Sequence, residues 1–163
     1  MDAENQELRK VTLCFLRKEE NILLAMKKRG FGVGKYNGVG GKVELGETIE
    51  DAARREIFEE IGVQAGELEK AAVIRFYFPL VPSDKHWNQE VHVYFVNNWE
   101  GEPRESEEMA PQWFNSQEVP FDKMWSDDKY WLPRVLKGEK VSAEFSFGED
   151  ESVTGYKIES GIK

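Results

Sequence analysis

The sequence predicts an α/β protein, one domain with a central mixed sheet and helices on its faces. Three observations predict it. Strand-like segments occur before, between and after two helix signals, which favours a mixed sheet over a doubly wound parallel one. The 163 residues are enough for one domain with a sizeable core. No repeat, low-complexity tract or internal linker divides the chain.

Residues 1–9 are polar and read as a loose N-terminal segment. Val11 to Leu16 reads as a strand, residues 17–20 as a turn, and Asn21 to Lys27 as the returning strand. Lys27 to Gly38 is a basic, glycine-dense loop with exposed aromatics. It is either a plain connection or a phosphate or base contact; cations next to an acidic helix favour the second. Thr48 with Asp51 three residues on approximates a capping box for the first helix. Ile49, Ala53, Ile57 and Ile61 give it an apolar stripe, and Gly62 is placed to stop it.

Ala71 to Leu80 is strongly β-like, with Phe76 and Phe78 on one face and Arg75 and Tyr77 on the other. Pro79, Pro82 and residues 83–89 mark a loop, and Val91 to Trp99 a further strand. His92 reads as a strand-face residue and His86 as loop surface, not as a metal pair. Residues 101–108 form an acidic turn before a short strand, Pro111 to Phe114. Ser126 or Asp127 can cap a second helix that runs toward Leu136 and ends at Gly138, with Pro133 requiring a kink or a short first segment. Val141 to Phe147 and Ser152 to Ile158 read as strands joined by an acidic hairpin at residues 148–151.

Composition narrows the partners. The formal net charge is −9, from 22 basic and 31 acidic residues, so polyphosphate backbones should be repelled and duplex DNA or RNA is not the expected partner. A small anionic substrate held through a metal is compatible with that charge. Cys14, the one cysteine, lies in an apolar run and reads as core; a lone cysteine forms no internal disulfide, which suits a reducing compartment. The charged N-terminus has no signal-peptide character, and no run approaches the ~20 apolar residues of a membrane span. A soluble intracellular protein is expected.

The chemistry concentrates on the first helix. Glu56, Glu59 and Glu60 fall within an arc of roughly 100° beside the apolar stripe. Like charges at these spacings cost a few tenths of a kcal/mol per pair. Either this is a solvated acidic face, or a hard divalent cation sits among the carboxylates. Arg55 can reach Glu59 at the next turn or fold back toward Glu47. The spacing of the whole stretch tips the balance toward the metal. Gly41, five residues, Glu47, seven residues, then Arg55-Glu56-Ile57-x-Glu59-Glu60-x-Gly62-Val63 resembles the Nudix box at every fixed position.

The resemblance implies an α/β/α sandwich with a central mixed sheet and a Mg²⁺ cofactor, with Mn²⁺ as substitute. It implies Glu56, Glu59, Glu60 and the Gly40 carbonyl as metal ligands, with Glu59 or Glu60 assisting an attacking water, and Glu47 with Arg55 bracing the loop against the helix. Such a cluster suits metal-assisted attack of water on a phosphoanhydride. No Gly-x-Ser-x-Gly elbow, P-loop or zinc spacing offers a competing constellation.

Residues 27–32, Asn37-Gly38, Glu105-Ser106, Glu108-Met109, Trp113-Phe114, Pro120-Phe121, Met124-Trp125, Asp127-Asp128 and Tyr130-Trp131 are similar to the animal oxidised-purine nucleoside triphosphatases, the branch related to MutT. By that likeness Trp125 and Phe31 border a purine ring, and Phe76 and Phe78 line its pocket. Asn37, Asp127 and Asp128 bond the base edge. Thr12, Lys27, Gly41 and Lys42 approach the substrate, and Glu108 joins the metal site. Two adjacent buried aspartates can share a proton and so present different donor patterns; the plainer alternative is that Asp127 caps the helix and Asp128 is solvated.

Ser126 stands where the branch has Pro, and Tyr36 where it has Trp. Gln89 and Glu90 add polarity near the pocket rim, and the loop before them is longer. The expected reaction is hydrolysis of an oxidised purine nucleoside triphosphate to monophosphate and pyrophosphate, by a monomer without membrane or nucleic-acid partners. Other nucleoside diphosphate-X substrates, such as ADP-ribose, a dinucleoside polyphosphate or a modified purine nucleotide, and a non-catalytic nucleotide-binding module, are the alternatives.

Overall fold

The computed structural model describes residues 8–162; residues 1–7 of the expected N-terminal segment lie outside them. Ten strands and two α-helices are present among the described residues. The strands are β1 (Arg9–Lys18), β2 (Asn21–Lys27), β3 (Tyr36–Asn37), β4 (Gln64–Ala65), β5 (Leu68–Tyr77), β6 (Gln89–Val96), β7 (Trp99–Glu100), β8 (Met109–Asn115), β9 (Val141–Phe147) and β10 (Val153–Ser160). The helices are α1 (Ile49–Ile61) and α2 (Asp128–Leu136).

The main sheet runs β10-β9-β5-β6-β1-β2-β3, with β8 also paired to β2. β1 lies parallel to β6, and β5 parallel to β9, while the other pairs are antiparallel. The sheet is mixed, as the order of elements predicts.

Alternation along the strands builds two cores. Cys14, Leu16, Leu23, Tyr94 and Val96 face α1, where Ala53, Ile57 and Ile61 complete a buried cluster. Phe15, Ile22, Ile74, Val93 and Phe145 face the other way, onto Trp131, Leu132 and Val135 of α2. A fully buried Ile contributes about 1.5–3 kcal/mol, so Ile57 and Ile61 anchor α1 firmly. Its ends follow the sequence: Thr48 Oγ1 accepts from the Asp51 amide at 3.1 Å, and Gly62 takes a left-handed φ of 75°.

Several boundaries differ from the sequence reading. β1 starts at Arg9, inside the segment expected to be loose. β5 starts at Leu68 and bends at an irregularity between Lys70 and Ala72. The strand expected from Val91 to Trp99 is two elements, because Asn98 turns its polar groups to Gly66 and Glu67. β7 thereby pairs with β4 in a separate two-stranded sheet. Asp127 takes the N-cap position of α2 but makes no side-chain cap bond, since its carboxylate is held by Trp131. Pro133 falls inside α2, which runs on to Leu136. None of the described helices is long and apolar enough to cross a membrane.

Candidate active site

The glycine loop after β3 lies along β1. The Thr12 amide donates to the Gly41 carbonyl at 2.8 Å, and Cys14 and Val39 exchange backbone bonds of 2.6 and 2.9 Å. Thr12 Oγ1 stands 3.2 Å from both the amide and the carbonyl of Gly41. The approach is so close that a Cβ on Gly40 would lie 2.0 Å from the Thr12 carbonyl oxygen. A Cβ on Gly41 would lie 2.5 Å from the Glu56 carboxyl carbon. Glycine at both positions lets α1 bring its acids against the loop.

Arg55 organises that side of the helix. Its Nε and Nη2 donate to Glu47 at 2.7 and 2.9 Å, Nη2 also to the Lys42 carbonyl at 3.0 Å, and Nη1 to Glu56 at 2.8 Å. The Arg55 bond, with the Glu44 amide, lowers the Glu47 carboxyl to about 2. Glu59 is more exposed and lies on Arg55 Nη1 at 3.4 Å.

Glu60 is the buried member. Its Oε1 accepts from the Gly40 amide at 3.3 Å, while Oε2 is buried with no hydrogen-bond partner among the described residues. Burial first, then the Glu56 charge beside it, push Glu60 up to about 8, and Glu108 adds to the same negative field. Glu108 itself pairs with Arg29 at 3.1 Å. Among the described residues, no three Asp, Glu, His or Cys are gathered as the ligands of a bound ion would be; Glu59 rests on Arg55. The donor set nevertheless fits a hard divalent cation. An orphaned buried carboxyl oxygen with a second carboxylate beside it offers the hard oxygen donors such an ion prefers.

A cavity of about 290 Å³ opens beside this cluster, with Gly40 in its wall. Thr12, Lys27, Phe31 and Asn37 line it from one side. Phe76, Phe78, Trp125, Asp127 and Asp128 line it from the others. Asn37 turns its Oδ1 to the Gly38 amide at 2.9 Å. Gly41 and Lys42, also expected to approach the substrate, do not line the cavity. Gln89 lines it, whereas Glu90, one residue on, faces the opposite side of the sheet and bonds Arg75 and His92.

Lys35, Met109, Phe147 and Glu151 also line the cavity and were not foreseen. Lys35 belongs to the basic loop already suspected, and the β9 alternation puts Phe147 on the face of Phe145, so those two carried a signal. Cys14, by contrast, is fully buried and its thiol is raised by burial, the state of a core residue.

Asp127 and Asp128 are both buried. Trp131 Nε1 donates to Asp127 Oδ2 at 2.8 Å, and Asp128 Oδ2 has no partner among the described residues. Burial raises Asp127 to about 6; burial and then the Asp127 charge raise Asp128 well above the ordinary carboxyl value. Both carboxyls are thus biased toward the protonated form, Asp128 more strongly than Asp127.

A glycine loop, a glutamate-bearing helix and a mixed sheet between two helices define a Nudix domain. The chain belongs to the NUDIX domain family, whose model matches residues 7–135. It is 42% identical over 147 residues to the "Oxidized purine nucleoside triphosphate hydrolase" of Mus musculus, covering 90% of this chain and 92% of that protein. The Danio rerio protein of the same name is 43% identical over 149 residues, covering 91% and 93%. Among solved structures, a MutT protein from Bacillus halodurans superposes with a TM-score of 0.78 at 24% identity, covering 93% of this chain and 98% of that one.

Proposed function

We propose that the protein hydrolyses oxidised purine nucleoside triphosphates, of the 8-oxo-dGTP or 2-hydroxy-dATP type, to the monophosphate and pyrophosphate. The observation that carries this reading is the buried pair Asp127 and Asp128 in an aromatic cavity whose wall at Gly40 touches Glu60. A base seated against Trp125 and Phe31 finds there two buried carboxyls that can share a proton. Stacking alone holds any purine. Selection comes from polar groups that an unmatched base would leave unpaired. The shared name of the mouse and zebrafish relatives supports the same substrate class.

Glu56, Glu59, Glu60, Glu108 and the Gly40 carbonyl would hold Mg²⁺, for which Mn²⁺ would substitute. The bound cation would offset charge on phosphate oxygens and lower the pKa of a water. Arg55 fixes the stance of Glu47 and Glu56. Glu59 or Glu60 takes the proton of the attacking water. Lys27, in the cavity wall, draws the phosphates toward the glutamates. On this reading the protein is a cytoplasmic monomer acting on free nucleotides, which suits its net charge of −9.

The test is turnover of ordinary and oxidised purine nucleoside triphosphates and ADP-ribose with Mg²⁺, with the products identified. Preference for an oxidised purine with pyrophosphate release is expected. Orthophosphate release, or no preference for any oxidised purine, would refute the reading.

A further inference from the structure

The connection from β5 to β6 is a built turn. The Val81 amide donates to the Phe78 carbonyl at 3.0 Å, and the Lys85 amide to the Pro82 carbonyl at 3.0 Å. A short 3-10 helix covers Ser83–Lys85. His86 then takes a left-handed φ of 55°, a conformation uncommon for non-glycine residues and typical of tight turns. Asn88 closes the turn. Its Oδ1 accepts from the Phe78 amide at 2.8 Å, and its carbonyl accepts from the Arg9 amide at 3.1 Å.

This turn holds Trp87 between two walls of the cavity that come from distant parts of the chain. The indole centroid lies 5.6 Å from the ring of Phe31, in the glycine loop after β2, and 5.5 Å from Phe78, at the end of β5. Phe31 in turn lies 5.2 Å from Trp125, and Phe78 stacks on Phe147 at 5.1 Å. The order Trp125, Phe31, Trp87, Phe78, Phe147 is an unbroken chain of rings. Four of the five line the cavity; Trp87 does not. Phe31 is 59% exposed, so few other contacts fix it. Gly32 brings the loop onto Trp125, where a Cβ would meet the indole at 2.9 Å.

We propose that Trp87 is a positioning residue for base binding: it props Phe31 and the glycine loop against Trp125, closing the aromatic wall that Phe78 begins. It acts through Phe31 and stands outside the cavity lining that holds the aspartate pair. Its removal should therefore weaken nucleotide binding and spare the hydrolytic step. Loss of two ring pairs of this kind predicts a rise in KM of about fivefold at the least and up to about a hundredfold.

The experiment has two arms. In the first, Trp87→Ala, Trp87→Phe and the unaltered protein are compared by amide hydrogen exchange without nucleotide. The Ala variant should speed exchange across residues 28–35 several-fold and leave α1 unchanged, and the Phe variant should restore protection. In the second, which rests on the function proposed above, KM and kcat are measured on whichever nucleotide the panel shows to be turned over best. KM should rise in Trp87→Ala with kcat changed less than about twofold, and recover in Trp87→Phe. Unchanged exchange in the glycine loop, or a fall in kcat at constant KM, would overturn the proposal. A panel without turnover would sink the functional reading alone, and the exchange arm would then decide the role of Trp87.

Discussion

Replacing Glu60 by Gln should stabilise the metal-free protein at alkaline pH, although it removes a residue of the candidate metal site. Glu60 is raised from 4.5 to about 8 in the fold, by burial and by the neighbouring Glu56. Between those values the folded state binds more protons than the unfolded one, so stability falls as pH rises across that window and is level above it. Stability from the bound proton is thus fully present below about pH 4.5 and lost as pH passes through about 8. The displacement corresponds to at most about 5 kcal/mol, and with partial screening by solvent a few kcal/mol is the reasonable scale.

Glutamine keeps the acceptor for the Gly40 amide and never ionises. Urea unfolding of chelated protein at about pH 5 should show little difference between Glu60→Gln and the unaltered chain. At about pH 8.5 the variant should be the more stable by a few kcal/mol. Mg²⁺ or Mn²⁺ should raise the melting temperature of the unaltered protein at that pH and leave the variant unmoved. A variant less stable at every pH, or equal metal stabilisation of both proteins, would refute the assignment of Glu60 as an uncompensated buried acid.

Asp128→Asn removes the proton shared with Asp127 and should lower kcat/KM for the preferred oxidised nucleotide at least about tenfold while narrowing the gap to the ordinary one; kinetics on both nucleotides check it. Gly40→Ala puts a methyl group 2.0 Å from the Thr12 carbonyl oxygen, so either the loop leaves β1 or the protein loses on the order of 3 kcal/mol or more, readable by denaturation and by loss of turnover. Arg55→Lys exchanges a fork that grips Glu47, Glu56 and the Lys42 carbonyl for a single point donor. It should cut kcat by about tenfold or more with little change in melting temperature, measured in one preparation. Ser126→Ala deletes the 2.8 Å bond to the Glu151 carbonyl at the cavity rim and should cost about 1 kcal/mol in urea unfolding.

Local signals carried much of the fold. Thr48, Gly62 and the four-residue spacing of Ile49, Ala53, Ile57 and Ile61 are all decided within one helix, so α1 could be bounded from sequence. The two-residue strands β3, β4 and β7 could not, because so few residues have no periodicity and only their distant partners define them. Asp127 shows the same limit at the site. Its place before a helix suggests a cap, and only burial of Trp131, one turn on, claims the carboxylate for the indole instead. Glu90 went to the wrong side of the sheet although the alternation was available: Gln89, Val91 and Val93 share one face, so Glu90 takes the other. The glutamates were legible as a cluster, but the pull of Arg55 on Glu59 depends on which rotamers the loop residues leave open.

Gly40 stands where the aromatic slot ends and the glutamates begin. Because the Gly40 backbone both lines the cavity and bonds Glu60, the two halves meet there through main chain and can change under separate pressures. On the proposed function, new side chains around the slot would suit a different base, and the glutamates across the border would serve it unaltered.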